Sequence, residues 1–165
     1  MNTASSNNII EKYRELANKY GATFTHRGDT IYFVIDSSRL RDLARSIYWE
    51  MDCYHRTCAG SDERKINGHY ALYHIFGDDK HGFHVVVKTY IDPDKPVVPS
   101  IKDIVPAADW CELEAHDLLG IDFSGRELYR LVLPPSWPKG VYPLRKETPH
   151  NYRPQVAISG ESVGV

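Results

Sequence analysis

The chain has 165 residues, of which 42% are apolar and 25% are charged, and its formal net charge is -2. These values are ordinary for one soluble globular domain with its own core, and they exclude binding to nucleic acid or an anionic membrane through net charge alone. No apolar run reaches the roughly 20 residues that a membrane span needs. The N-terminal residues lack the basic-then-apolar pattern of a signal peptide.

The first part of the chain predicts a helix followed by a hairpin. Residues 5–8 offer helix caps, and apolar residues then recur at helical spacing until Gly21, which is suited to ending a helix. Residues 22–26 and 30–35 are rich in β-branched and aromatic side chains. They flank Arg-Gly-Asp, a triplet that is an adhesion motif in some extracellular proteins. We favour a hairpin turn, because no export signal is visible.

A second helix and further extended segments follow. Residues 36–38 offer caps, and residues 40–51 carry a clean amphipathic stripe. Residues 52–62 are ambiguous and include a candidate strand. Residues 69–76 and 83–91 predict two strands, and the continuous valine run in the second is typical of a strand covered on both faces.

Prolines divide the C-terminal part of the chain. Six of the ten prolines lie between Pro134 and Pro154, where they prevent regular structure, yet this stretch keeps many apolar and aromatic residues. We therefore predict an α+β core domain over residues 1–125, with a mixed or antiparallel sheet of about four to five strands and about three helices. Residues 126–154 are predicted to form an extended arm that lies on a surface, its own or a partner's. Residues 155–165 are predicted to be a flexible tail.

Residues 106–119 predict a short helix with three distinct faces, ended by Gly120. One face is apolar and suits packing on the core domain. A second carries acids and a histidine at spacings of three and four, and a third presents a Trp–Leu edge that a partner would cover. The second face consists of Asp109, Glu112 and His116, and the third of Trp110, Leu113 and Asp117.

The residue types and their spacings give little support for a catalytic site. Glu112 and His116 have a spacing that suits two metal ligands, so a free-standing metal-dependent enzyme using them is one alternative. A second ligand set is missing, and ion pairs with the basic residues that follow are favoured. Phosphate loops, nucleophile elbows and iron–sulfur cysteine clusters are also missing, and the three cysteines predict free thiols in a reducing compartment. We predict no catalytic, cofactor or metal residue, and a generic regulatory binding module remains the third interpretation.

Three segments carry a family resemblance: residues 108–125, 130–134 and 142–146. They resemble the signature of the small soluble peripheral-arm subunit of respiratory complex I, the 30 kDa subunit family. Leu113 stands where that family usually has arginine, and Gly125 is followed directly by Arg126. The segment over residues 133–143 is closer to relatives in membrane-bound, energy-converting [NiFe] hydrogenases. The matching positions are Glu112, Glu114, Asp117, Gly120, Ile121, Phe123, Pro143, Leu144, Arg145 and Lys146.

The resemblance implies a non-catalytic scaffold subunit in a membrane-bound, ion-translocating redox complex. Such a subunit docks on the large catalytic subunit, which holds the nickel–iron site, and touches the small iron–sulfur subunit. It is peripheral, on the cytoplasmic side of the cell membrane, and has no redox centre of its own. The alternative within the family is the equivalent subunit of a quinone- or phenazine-reducing complex I-like dehydrogenase, deazaflavin- or NADH-linked.

The predicted partner interface combines the short helix with the arm. Aromatic anchors are enriched at interface hot spots, and prolines lower the entropy lost when an arm is fixed on a partner. The predicted interface residues are Trp110, Glu112, Glu114, Asp117, Arg130, Trp137, Tyr142, Pro143, Leu144, Arg145 and Lys146.

Overall fold

A computed structural model describes residues 3–149, 151 and 152, with side chains from residue 7 onward. The predicted tail over residues 155–165 lies outside the described residues. Within that described part, no helix is both long enough and apolar enough to cross a bilayer.

A five-stranded mixed sheet forms the centre of the domain, which confirms the predicted fold class. Its strands stand in the order β1-β2-β5-β4-β3. The β2–β5 pair is parallel, and the other three pairs are antiparallel. The strands are β1 (Thr23–Arg27), β2 (Thr30–Ile35), β3 (Tyr54–Asp62), β4 (Tyr70–Asp78) and β5 (Phe83–Ile91).

Strand β5 is central, and its valine run is buried on both faces as predicted. Val85 and Val87 are fully buried on one face of the sheet, and Val86 on the other face is 9% exposed. Tyr32 and Ile75 are the register partners of Val86 on the flanking strands, so their side chains stand beside it. Burial of Val86 interrupts the alternation that the rest of the strand keeps, since His84 and Lys88 are partly exposed and Tyr90 is exposed on the same face.

In the described part of the chain, four helices accompany the sheet: α1 (Thr3–Tyr20), α2 (Leu40–Arg45), α3 (Arg64–Asn67) and α4 (Ala108–Leu119). The second predicted helix is divided into a 3-10 turn (Ser37–Arg39), α2 and a π-helical turn (Ser46–Glu50). Asp36 caps its start by accepting a hydrogen bond from the Ser38 N–H at 2.9 Å. The helix widens at its end, where the Met51 N–H donates to the Ser46 carbonyl five residues earlier.

Helices α1 and α4 pack on the same face of the sheet. The Tyr13 ring of α1 lies 6.3 Å from the Phe33 ring of β2. Helix α4 crosses β3 at Gly60, where a Cβ atom would lie only 2.9 Å from Leu119 Cδ2. A Cβ atom here would force the Leu119 side chain to move, so glycine at position 60 favours close packing of α4 on the strand.

A small parallel pair of strands precedes and follows α4. It consists of β6 (Val97–Pro99) and β7 (Asp122–Ser124). The pairing of the segment after the helix with a proline-punctuated segment before it was not predicted. Helix α4 begins at Ala108, two residues after the predicted Pro106, whose carbonyl accepts a hydrogen bond from the Asp109 N–H at 3.1 Å.

Candidate partner-docking surface

Gly120 is the point where the arm crosses the end of α4. It has a left-handed backbone with φ of 74°, and its N–H closes the helix on the His116 carbonyl at 2.9 Å. A Cβ atom there would lie 2.5 Å from the Tyr142 ring and 2.6 Å from Arg145 Nη2. The sequence predicted that Gly120 ends the helix. The close approach of the arm is a second reason why this position favours glycine.

Asp117 holds the first half of the arm. One carboxylate oxygen, Oδ2, accepts hydrogen bonds from three successive backbone N–H groups, at 2.8 Å from Leu131, 2.7 Å from Val132 and 3.1 Å from Leu133. The side chain is almost entirely enclosed. The prediction that Asp117 faces a partner subunit is therefore corrected, because its charge is directed to main-chain donors of its own arm.

Glu112 is also directed inward. Its fully buried carboxylate accepts hydrogen bonds from Ser100 Oγ at 2.5 Å and the Ile101 N–H at 2.8 Å, and it pairs with Arg126 Nη1 at 3.0 Å. Burial raises the pKa of the Glu112 carboxyl, while these hydrogen bonds and the guanidinium oppose that rise. Its predicted place at the partner interface is corrected as well. Sequence analysis did foresee an ion pair between these acids and the basic residues that follow.

Asp62 is the third carboxylate that holds the arm, and sequence analysis missed it. Its Oδ2 accepts a hydrogen bond from the Lys146 N–H at 2.9 Å and another from Arg64 Nη2 at 2.6 Å. The Arg64 guanidinium keeps the pKa of the Asp62 carboxyl far below its usual value. Arg64 also pairs with Glu147 of the arm. No local spacing reveals this contact, since 84 residues separate Asp62 from Lys146.

Further contacts along α4 fix the return of the arm. The Leu144 N–H donates to the Leu118 carbonyl, and Arg145 Nε donates to the Leu119 carbonyl, both at 2.9 Å. These bonds satisfy carbonyl groups at the helix end that lack partners within the helix. The Arg145 guanidinium lies 4.2 Å from the Tyr142 ring centre, within cation–π range. Between the residues that contact Asp117 and those that contact Asp62, Trp137 stabilises the arm. Its Nε1–H donates a hydrogen bond to the Val141 carbonyl at 2.8 Å.

Apolar side chains remain exposed along α4 and the arm, and we name them the α4–arm surface. Trp110 is 71% exposed. The prediction that Leu113 forms an exposed edge together with Trp110 is wrong, because Leu113 is fully buried. Glu114 is exposed on the same helix. Exposed apolar side chains on a helix and on the arm that packs against it make a candidate interaction site. The α4–arm surface consists of Trp110, Tyr129, Leu131, Val132 and Leu144.

The arrangement does not support the alternative in which Glu112 and His116 of α4 bind a metal. His116 Nδ1 lies 3.2 Å from the Ile121 carbonyl oxygen and 3.1 Å from Asp122 Oδ1. The Glu112 carboxylate instead contacts Ser100, Ile101 and Arg126. Within residues 7–149, 151 and 152, no group of three or more histidine, cysteine or acidic side chains is placed to hold a metal ion.

Comparison with known proteins identifies the family. The family model described as "Respiratory-chain NADH dehydrogenase, 30 Kd subunit" matches residues 33–154. The chain belongs to this family. The match includes α4, Gly120 and the part of the arm that Asp117 and Asp62 hold. The resemblance found in the sequence is therefore confirmed.

Hydrogenase subunits are among the relatives. The chain is 34% identical over 137 residues to formate hydrogenlyase subunit 5 of Escherichia coli (strain K12), and 33% identical over 137 residues to hydrogenase-4 component G of the same strain. Each alignment covers 81% of this chain but only 24% and 25% of the relatives, so the chain spans about a quarter of their length.

A solved structure in the comparison comes from an archaeal respiratory membrane complex, the membrane-bound sulfane sulfur reductase (MBS). The superposition has a TM-score of 0.74 at 29% identity and covers 86% of this chain and 85% of that one. The extent of this match shows that most of the chain, and not only its signature helix, follows the architecture of the family.

Proposed function

We propose that this chain is a non-catalytic subunit of a membrane-bound, ion-translocating redox complex of the energy-converting [NiFe] hydrogenase type. There it scaffolds the large catalytic subunit and the iron–sulfur small subunit, from the cytoplasmic side of the membrane. The observation that carries this proposal is the alignment with two hydrogenase subunits over 81% of the chain. The nickel–iron site and the iron–sulfur clusters belong to partner subunits in this proposal, and the chain holds no cofactor.

The internal roles of the acids support a scaffold. Glu112, Asp117 and Asp62 are committed to hydrogen bonds that position the arm on its own domain, Glu112 through Arg126. An arm that is already positioned loses less entropy when it docks than a free one. The proposed interface keeps the predicted residues other than the two buried acids. These are Trp110, Glu114, Arg130, Trp137, Tyr142, Pro143, Leu144, Arg145 and Lys146.

Trp110 is the proposed anchor of that interface. An indole ring offers a large apolar area with few rotatable bonds, and tryptophan is enriched at interface hot spots. Leaving 71% of it in water is unfavourable for an isolated chain. A partner pocket over Trp110, with the apolar arm residues beside it, would remove this surface from water.

A second candidate within the same family is a subunit of a complex I-like assembly that is not a hydrogenase. The match to the MBS structure favours it, because that complex is a sulfane sulfur reductase. The same α4–arm surface would dock on the corresponding large subunit. The two candidates differ in the chemistry of the partner and leave this chain in the same role.

Purification of the complex from native membranes tests the proposal. A tag on the N-terminus of this chain, remote in sequence from the arm, should recover a large subunit with paired Cys-x-x-Cys motifs. Nickel should be present in a stoichiometric amount, and the preparation should evolve or consume hydrogen. Recovery of a large subunit without nickel would overturn the hydrogenase assignment and favour the second candidate. A chain recovered alone from the soluble fraction would contradict both.

A further inference from the structure

Two of the three cysteines meet between β3 and α4. Cys58 of β3 and Cys111 of α4 line one surface pocket, together with apolar residues of both elements and Leu144 of the arm. Cys58 is 5% exposed, whereas Cys111 is partly exposed. The third cysteine, Cys53, is buried elsewhere and lies 3.2 Å from the Tyr13 hydroxyl. Only the first two thiols therefore share a pocket.

The two thiols of the pocket are chemically unequal. The neighbouring Cys111 thiol, together with burial, raises the pKa of the Cys58 thiol. The Cys58 thiol in turn lowers the pKa of Cys111, because it stabilises the Cys111 thiolate. Cys111 is thus the partly exposed, more nucleophilic member of the pair, and Cys58 is the buried member that lines the same pocket.

We propose that Cys58 and Cys111 form a redox-active dithiol site that a hydroperoxide converts into an intramolecular disulfide. This inference goes beyond the proposed function and does not depend on it. The Cys111 thiolate attacks a peroxide oxygen, the O–O bond breaks, and the leaving oxygen takes a proton, which leaves a sulfenic acid on Cys111. The Cys58 sulfur then attacks the Cys111 sulfur, the S–O bond breaks, and water leaves as the S–S bond forms. With hydrogen peroxide, two thiols lose two electrons and two protons, and the oxidant becomes two water molecules.

The disulfide would connect the sheet to the helix that holds the arm. Cys58 lies two residues before Gly60, where Leu119 of α4 approaches β3 closely. Cys111 lies on the same helix as Glu112 and Asp117, which bind Arg126 and the arm backbone. Oxidation would therefore fix the position of α4 on the sheet and reduce local opening of the helix.

Peptide mapping of the full chain tests the site, because trypsin separates the three cysteines. Cys53, Cys58 and Cys111 fall in tryptic peptides 46–56, 57–64 and 103–126. The purified chain is treated with hydrogen peroxide, its remaining thiols are alkylated, and it is digested without reduction. We expect peptides 57–64 and 103–126 to be linked in the monomer, with the loss of two hydrogen atoms from the intact mass. Reduction should reverse the link.

Three single variants complete the test. Cys111→Ser and Cys58→Ser should each abolish the link, while Cys53→Ser should keep it at the wild-type yield. Circular dichroism verifies that each variant is folded, and Cys111→Ala serves as a second form if Cys111→Ser is unstable. The proposal is overturned if both thiols remain alkylatable in the oxidised wild-type monomer. It is also overturned if the link joins Cys53 or only connects two copies of the chain.

Discussion

Replacement of Asp117 by alanine should release the first half of the arm while the core domain stays folded. The substitution removes one oxygen that accepts three backbone hydrogen bonds, from Leu131, Val132 and Leu133. A hydrogen bond to a charged group contributes about 1.5–3 kcal/mol, but water replaces part of this where the amides become accessible. A net loss of about 2 kcal/mol for the three bonds together corresponds to a roughly 30-fold larger population of the undocked arm.

Hydrogen exchange measured by NMR or mass spectrometry reports this population directly. The amides of residues 131–133 should exchange about 30-fold faster in Asp117→Ala, while the amides of β5 keep their protection. Glu114→Ala is the matched control, since Glu114 is an exposed acid on the same helix. It should leave exchange in the arm unchanged. Equal exchange of residues 131–133 in Asp117→Ala and wild type would refute the claim that this carboxylate holds the arm.

Three further substitutions test Gly120, Trp110 and His74, a fully buried histidine of β4 that is hydrogen-bonded to His55. Gly120→Ala should lower the melting temperature more than Gly21→Ala does. Both glycines have positive φ, but an added Cβ atom would contact the arm only at Gly120. Equal losses of melting temperature would contradict this prediction. Burial lowers the pKa of His74 to about 3, so stability that is present above the unfolded pKa near 6.5 is lost as pH falls. Between pH 6.5 and 5 the loss from His74 is about 1.6 kcal/mol. Urea unfolding of His74→Gln should therefore show a smaller loss than wild type, and the remainder comes from neighbouring His55, whose pKa burial lowers to about 4. Trp110→Ala should weaken binding to the large subunit about tenfold or more, with little change in stability. Trp49→Ala is the control, because the Trp49 side chain is also exposed, at 68%, and this variant should bind with unchanged affinity.

The sequence predicted the elements better than it predicted their contacts. Helix and strand periodicity located β1, β2, β4, β5 and α4, because each follows from spacing within a short stretch. Strand β3 stayed ambiguous, since it lies at an edge of the sheet and is interrupted by an irregular register between His55 and Thr57. An edge strand with a bulge loses the strict alternation on which such predictions depend.

The errors at the candidate site share one physical cause. Glu112 and Asp117 were placed at a partner interface because charged residues on a helix are usually exposed. Their actual partners are main-chain N–H groups and a guanidinium that come from distant parts of the chain. Side-chain spacing carries no information about such donors, since every residue except proline has the same N–H group. Leu113 was misplaced for a related reason, because helix periodicity does not reveal how many sides of a helix are covered.

The use of backbone donors has a consequence for how this family of subunits can diversify. Asp117 and Asp62 accept hydrogen bonds from backbone N–H groups of the arm. Every residue except proline offers the same N–H group, whatever its side chain. At residues 131–133 and 146, the route of the arm therefore does not depend on which side chains those residues carry. Substitutions at Leu131 or Val132 can change the outward surface to suit a different partner, while the backbone of the arm keeps its position on the domain.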